Sequence, residues 1–153
     1  MEIRVDDLSG PEIQALLGEH LADMYEASPA ESVHALDLDA LREPGITFWT
    51  VWDGETLLGC GALKQLDAFH GEIKSMRTTS AARRRGVARR VLDHAIGEAR
   101  SRGYARVSLE TGTQEFFEPA RRLYASFGFT PCGPFGSYRE DPYSAFFTYD
   151  LRA

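Results

Sequence analysis

A mixed α/β fold, with about seven strands in one sheet and helices on both faces, is what the amino-acid pattern predicts. Three observations carry this. Stretches alternating polar and apolar residues are interleaved with stretches whose apolar residues recur every three to four positions. Asp53-Gly54, between two apolar runs, is a strong hairpin signal. A strand, a helix and another strand follow one another from Glu72 to Thr111, which implies a parallel pair joined by a right-handed crossover.

Taken in order, Glu2 to Val5 alternate and read as a first strand. Ser9-Gly10-Pro11-Glu12 has the spacing of a capping box with proline in the first turn, and Ile13, Leu16, Leu17, Leu21 and Met24 continue as one helical stripe. Ala27 to Val33 is small and polar, a loop; His34 to Leu41 reads as a short second helix ending before Pro44-Gly45. Strands over Ile46 to Trp52 and Thr56 to Gln65 flank the hairpin turn, and a polar break at Asp67 to Gly71 leads into Glu72 to Thr78. In that last stretch Ile73 and Met76 are out of strict alternation, so a bulge or irregular strand end is expected.

A third helix follows, with Val87, Ala88, Val91, Leu92, Ala95, Ile96 and Ala99 on one face and Gly103 as its stop. Ala105 to Thr111 alternates as a strand; Pro119 opens a helix bearing Ala120, Leu123, Tyr124 and Phe127, closed by Gly128. Phe129 to Cys132 is a short strand, Gly133 to Pro142 a loop, and Tyr143 to Leu151 the last strand. The order is β-α-α-β-β-β-α-β-α-β-β.

The third helix begins with a cationic turn. Nine of the seventeen Lys and Arg residues (Arg77, Arg83, Arg84, Arg85, Arg89, Arg90, Arg100, Arg102 and Arg106) fall between positions 77 and 106, opposed there only by Asp93 and Glu98, in a chain of net charge −6. Gly86 lets backbone approach a ligand closely, and the first N–H groups of a helix lack internal partners at the positive end of its dipole. A pyrophosphate would fit that place.

The chain's 153 residues, 43% hydrophobic, suit one domain spanning 1–153 with a real core. No apolar run is long enough for a membrane span and no leader precedes the first strand, so a cytoplasmic protein is expected. Cys60 and Cys132 form no cluster with each other or with histidine, which predicts neither a metal site nor a disulfide framework. The acidic balance and narrow basic patch argue against nucleic acid as a partner.

The element order, with Arg83-x-x-Gly86-x-Ala88 between the fourth strand and third helix, resembles the GNAT superfamily of acyl-CoA N-acetyltransferases, whose pattern is Arg/Gln-x-x-Gly-x-Gly/Ala. A second GNAT pattern, Ala-x-x-Leu-Tyr-x-x-x-Gly-Phe, is matched from Ala120 to Phe129, and the resemblance covers nearly the whole chain. His34-Ala35-Leu36-Asp37, Gly61 to Lys64, Glu72 to Arg77, Leu109 to Gly112 and Tyr138 to Ser144 are similar to the indole-acetate-type acetyltransferase branch, a weak guide to substrate. Many GNAT members carry Asn seven residues before the motif tyrosine; Phe117 stands there in this chain, so that cofactor contact cannot be carried over.

The resemblance implies fourth and fifth strands that splay apart, freeing main-chain groups at Met76, Arg77 and Thr78 for the pantetheine arm of acetyl-CoA. It also implies that the Met76 N–H meets the developing oxyanion, a donor typically worth about 3 kcal/mol. The amides of Arg84 to Ala88 (Arg84, Arg85, Gly86, Val87, Ala88) would hold the pyrophosphate, the Arg83 to Arg85 side chains would meet phosphates, and Tyr124 would protonate the leaving thiolate. A base would help a protonated amine; Glu72 is the first choice and Glu110 the second, each with the alternative of pairing with Lys74 or Arg106. His34, Ser75 and Tyr138 are candidate acceptor contacts. No base is suggested beside either cysteine, so direct transfer is favoured over an acyl-cysteine route.

The implied function is transfer of acetyl from acetyl-CoA to a small amine or amino-acid-like metabolite, with no metal and with a homodimer as a common GNAT assembly. Acetylation of protein N-termini or lysines is the alternative within enzymes. A non-catalytic acyl-CoA sensor is the alternative outside them.

Overall fold

In the computed structural model, which describes residues 1–152, the elements are β1 (Glu2–Val5), α1 (Pro11–Ala27), α2 (Leu38–Leu41), β2 (Ile46–Asp53), β3 (Thr56–Asp67), β4 (His70–Thr78), α3 (Val87–Ser101), β5 (Arg106–Gly112), α4 (Glu118–Phe127), β6 (Thr130–Pro131) and β7 (Ser144–Asp150). The strands form one seven-stranded sheet in the order β1-β2-β3-β4-β5-β7-β6. Among the described residues only β4 and β5 run parallel, and α3 is the crossover between them.

Helices cover both faces because the central strands β2 and β3 carry apolar residues on each side. Leu63, Ile73, Val107 and Leu109 pack with Leu92, Ala95, Ile96 and Ala99 of α3 and Tyr124 of α4. Phe48, Cys60 and Ala62 pack on the other face with Ile13, Leu16 and Leu17 of α1 and Leu41 of α2. The apolar stripe of α3 read from the sequence is this core contact.

Several boundaries differ from the sequence expectations. Helix α1 starts on Gly10 with no side-chain cap, because the Ser9 hydroxyl donates instead to Asp7 Oδ1 at 2.6 Å. The expected helix over His34 to Leu41 is confined to Leu38–Leu41, where the Asp37 carboxylate accepts from the Ala40 N–H at 2.9 Å. His34 to Leu36 lie outside any helix and reach the sheet. The hairpin turn sits one residue later than expected, at Gly54-Glu55, with positive φ at Gly54 alone, as a II′ turn has. The break at Asp67 to Gly71 is instead a tight turn at Ala68-Phe69, with β3 and β4 paired on both sides of it. Strand β6 shrinks to Thr130–Pro131.

The expected irregularity after Ile73 is a bulge. Cys60 pairs with Arg77 and Ala62 with Lys74, so β4 spends three residues where β3 spends two. Ser75 takes φ 56°, a left-handed conformation, and the Cys60 thiol donates to its carbonyl at 3.3 Å. The extra residue resets the alternation of side chains. Met76 therefore joins Ile73 against α3, while Arg77 turns to α1 and donates to Asp23 Oδ2 at 2.6 Å.

Gly61 lies across from the bulge, where a Cβ would come 2.5 Å from Val91 Cγ1 and 2.7 Å from Met76 Sδ. Gly61→Ala is expected to destabilise the protein by about 1–3 kcal/mol in urea denaturation. Gly97→Ala, on the exposed side of α3 with nothing near the new methyl, is expected to stabilise it by about 0.5–1 kcal/mol. Equal effects would contradict the packing of α3 against the bulge.

Candidate active site

Strands β4 and β5 pair only at His70↔Arg106, Gly71↔Val107 and Glu72↔Ser108. Beyond Glu72 they part, and Ser75 and Met76 have no register partner in either neighbouring strand. The opening continues into a cleft of about 820 Å³ that runs from the Arg83–Ala88 turn, past β4 and β5, to the segment around His34 and the loop at Tyr138.

At one end the chain enters α3 through a turn with φ 66° at Arg84 and 78° at Gly86. Left-handed residues beside right-handed ones aim successive N–H groups into one concavity, here at the positive end of a long helix. A Cβ at Gly86 would meet nothing, so the glycine serves the backbone conformation. Arg83, Arg84, Gly86, Val87 and Ala88 line this end, and among the described residues neither Arg83 nor Arg84 pairs with a carboxylate. Arg85 departs from expectation: its side chain leaves the cleft, with its guanidinium 3.7 Å from Asp53. Arg77 likewise gives its side chain to Asp23 and Glu19, so only its main chain remains available with that of Thr78, the last residue of β4.

Along the middle, Met76 and Tyr124 line the cleft. Tyr124 projects from α4, and burial first and Glu110 second push its phenol up to about 12. Among the described residues its hydroxyl has no hydrogen-bond partner. Phe117, in place of the asparagine of many GNAT members, packs over Gly112, where a Cβ would fall 2.0 Å from its ring. Its neighbour Phe116 lines the cleft and is 53% exposed.

The far wall is polar because Ile73 and Leu109 take the core face, leaving Glu72, Lys74, Ser108 and Glu110 on the other. Glu72, 2% exposed, accepts from Lys74 Nζ at 3.2 Å and from the Tyr138 hydroxyl at 2.5 Å. Lys74 also donates to that hydroxyl at 2.9 Å and to the His34 carbonyl at 3.4 Å. Glu72 is thus held in a buried ion pair, the alternative its spacing to Lys74 had left open. The His34 ring meets Tyr138 edge to face at 5.0 Å, and burial and then Lys74 lower its pKa. Ser75 lines the cleft through the bulge.

Glu110 stands differently. It has no ion-pair partner among the described residues, and burial pushes its carboxyl up to about 7 against the pull of Ser144 and Lys74. The Ser144 hydroxyl lies beside it without completing a hydrogen bond. Neither cysteine lines the cleft, and burial pushes the Cys60 thiol up to about 12, which leaves it unionised. Arg89, already part of the cationic cluster read from the sequence, lines the cleft; sequence reasoning missed His20, Phe116, Arg122 and Tyr143, of which Arg122 lies inside the Ala120–Phe129 motif while His20, on α1, and Tyr143, before β7, come from distant parts of the chain.

A parallel pair thus parts beside an arginine-lined helix start, and Tyr124 and Glu110 line the same cleft. The chain belongs to the Acetyltransferase (GNAT) family, whose pattern matches residues 13–129, and is an N-acetyltransferase. It is 58% identical over 151 residues to the uncharacterized N-acetyltransferase YsnE of Bacillus subtilis, covering 99% of this chain and 100% of the relative. It is 40% identical over 131 residues to the IAA acetyltransferase of Azospirillum brasilense, covering 85% of this chain and 82% of the relative. The fold superposes with a TM-score of 0.78 and 22% identity on a Klebsiella pneumoniae protein assigned as an acyl-CoA N-acyltransferase, over 98% of this chain and 97% of that one. No helix among the described residues is long and apolar enough to cross a membrane.

The raised Glu110 carboxyl has a consequence for stability. Its folded-state pKa of about 7 exceeds the ordinary 4.5, so between those values the folded state binds more protons and stability falls as pH rises. Glu110→Gln is expected to gain about 1–3 kcal/mol at pH 8 and almost nothing at pH 4, read by urea denaturation at both pH values. A gain independent of pH would mean that the carboxyl is not raised.

Proposed function

We propose that the enzyme transfers the acetyl group of acetyl-CoA to a small-molecule primary amine by direct attack, with Glu110 as base and Tyr124 as acid. The observation that carries this is the unpaired Glu110 carboxyl, held near 7 by burial, in the same cleft as a Tyr124 hydroxyl without a partner. A base with a pKa near the working pH combines a useful ionised fraction with proton affinity. Glu72, ranked first from sequence, is a poorer base because Lys74 and Tyr138 already occupy it.

The residues present fit acetyl-CoA. The Arg84–Ala88 amides and the side chains of Arg83 and Arg84 suit a pyrophosphate. Arg85 contributes its main chain only. The register gap at Met76 leaves main-chain donors for an acyl oxygen, and the open edge at Arg77 and Thr78 suits an amide-bearing arm. The cosubstrate supplies a thioester-activated acetyl group.

Proton movements then follow from the side chains. Glu110 accepts one proton from the substrate ammonium, so the freed nitrogen lone pair forms the new C–N bond, and the second N–H proton of the adduct leaves to solvent. The Met76 N–H stabilises negative charge on the acyl oxygen. As the C–S bond breaks, Tyr124, fully protonated at neutral pH, gives its phenolic proton to the departing sulfur. Solvent returns a proton to Tyr124 and removes one from Glu110. His34, Ser75 and Tyr138 border the acceptor side of the cleft.

Thiol release from acetyl-CoA with a panel of primary amines tests the reading. Turnover should rise with pH through a limb near 7, and Glu110→Gln should lower kcat by about 10²–10⁴-fold and flatten that limb. Tyr124→Phe should lower kcat while calorimetry shows acetyl-CoA binding unchanged. Acetyl-CoA uptake without thiol release for any amine or peptide would identify a sensor instead.

A further inference from the structure

The acceptor end of the cleft contains many charged groups, yet among the described residues the cations that line it are engaged. Lys74 has three N–H donors, directed to Glu72 Oε2, the Tyr138 hydroxyl and the His34 carbonyl. Arg77 is flanked by Asp23 at 2.6 Å and Glu19 at 3.3 Å; its Nε and His20 Nδ1 have no partner but are fully enclosed, beyond the reach of a ligand. Burial, with Arg77 assisting, holds His20 at about 4, and burial with Lys74 lowers His34, so both rings are neutral at pH 7. Of the remaining cleft arginines, Arg83, Arg84 and Arg89 sit at the start of α3, at the opposite end, and Arg122 on α4 is paired with Glu118 at 2.6 Å.

The acidic groups are not all engaged. Asp141 accepts from Ser32 Oγ at 2.7 Å and from the Tyr143 N–H at 2.8 Å, but among the described residues Glu110 has no ion-pair partner. Rings complete the wall. His34 and Tyr138 meet edge to face, and Tyr143 and Phe116 line the cleft while remaining 42% and 53% exposed. Such half-exposed rings offer apolar area that a ligand can cover.

From this balance we propose that the acceptor is a primary amine on an aromatic or apolar arm with no carboxylate on its amine-bearing carbon, an arylalkylamine rather than an α-amino acid. The inference rests on the proposed amine acetylation and narrows it. An ammonium group is drawn toward the unpaired Glu110, and the arm lies on the rings. A carboxylate beside the amine would be placed near Glu110 and Glu72 with no free donor cation, losing its hydration without a partner.

The experiment compares matched acceptors in the thiol-release assay with the intact protein: phenethylamine, phenylalanine and phenylalaninamide, and tryptamine, tryptophan and tryptophanamide. In each set kcat/KM for the amine should exceed that for the amino acid by about 100-fold or more, with the amide within about 10-fold of the amine, since a site rejects groups it leaves unpaired. Equal or better turnover of the amino acid overturns the inference. So does rejection of the amide as strong as that of the acid, which would make bulk rather than charge the cause. Turnover of neither series, with acetyl-CoA binding intact in calorimetry, overturns it as well. Failure to bind acetyl-CoA would instead overturn the proposed function beneath it.

Discussion

The active site depends on one extra residue in β4. Because β4 spends three residues from Lys74 to Arg77 where β3 spends two, side chains after Ser75 change faces and the strand leaves its neighbour β5. The left-handed Ser75, at φ 56°, costs on the order of 1–3 kcal/mol unless its surroundings hold it. The Cys60 thiol on its carbonyl, Gly61 opposite, and Met76 wedged against α3 are those surroundings. The core thereby supports an open seam in the middle of a sheet, where main-chain groups would otherwise be paired.

The same geometry separates two kinds of electrostatics. The turn into α3 gathers N–H groups and unpaired arginines where a polyanion belongs. The far wall buries charges but neutralises them locally, with Glu72 against Lys74 and Arg77 against Asp23. A buried pair of this kind adds little net stability, but breaking it leaves an uncompensated charge. Its effect here is to make Glu110 the exception. Burial raises its carboxyl toward neutrality against the pull of Ser144 and Lys74, while burial first and the Glu110 charge second keep the Tyr124 proton in place.

Much of the architecture was legible locally. The stripe from Val87 to Ala99, the glycine stops at Gly103 and Gly128, and the strand alternation at Val107 and Leu109 each depend on neighbours within a few residues. Even the bulge left a trace in the three-residue spacing of Ile73 and Met76. The errors arose where local signals competed. Ser9 had a capping spacing, but the nearer Asp7 took its hydroxyl; His34 to Leu36 had helical composition, but Lys74 and Tyr138 engage that segment from the sheet and the last loop.

Sequence by itself determined the element order, the family, the cationic turn at Arg83 to Ala88 and the tyrosine at 124, because periodicity, turn chemistry and short motifs are properties of contiguous residues. Only the tertiary structure decided which carboxylate is free. Glu72 and Glu110 look alike as strand residues, yet Tyr138, 66 positions away from Glu72, closes on it together with Lys74, while among the described residues Glu110 has no ion-pair partner. Burial and counter-charge are set by segments distant in the chain, and those two quantities fix a carboxyl's protonation.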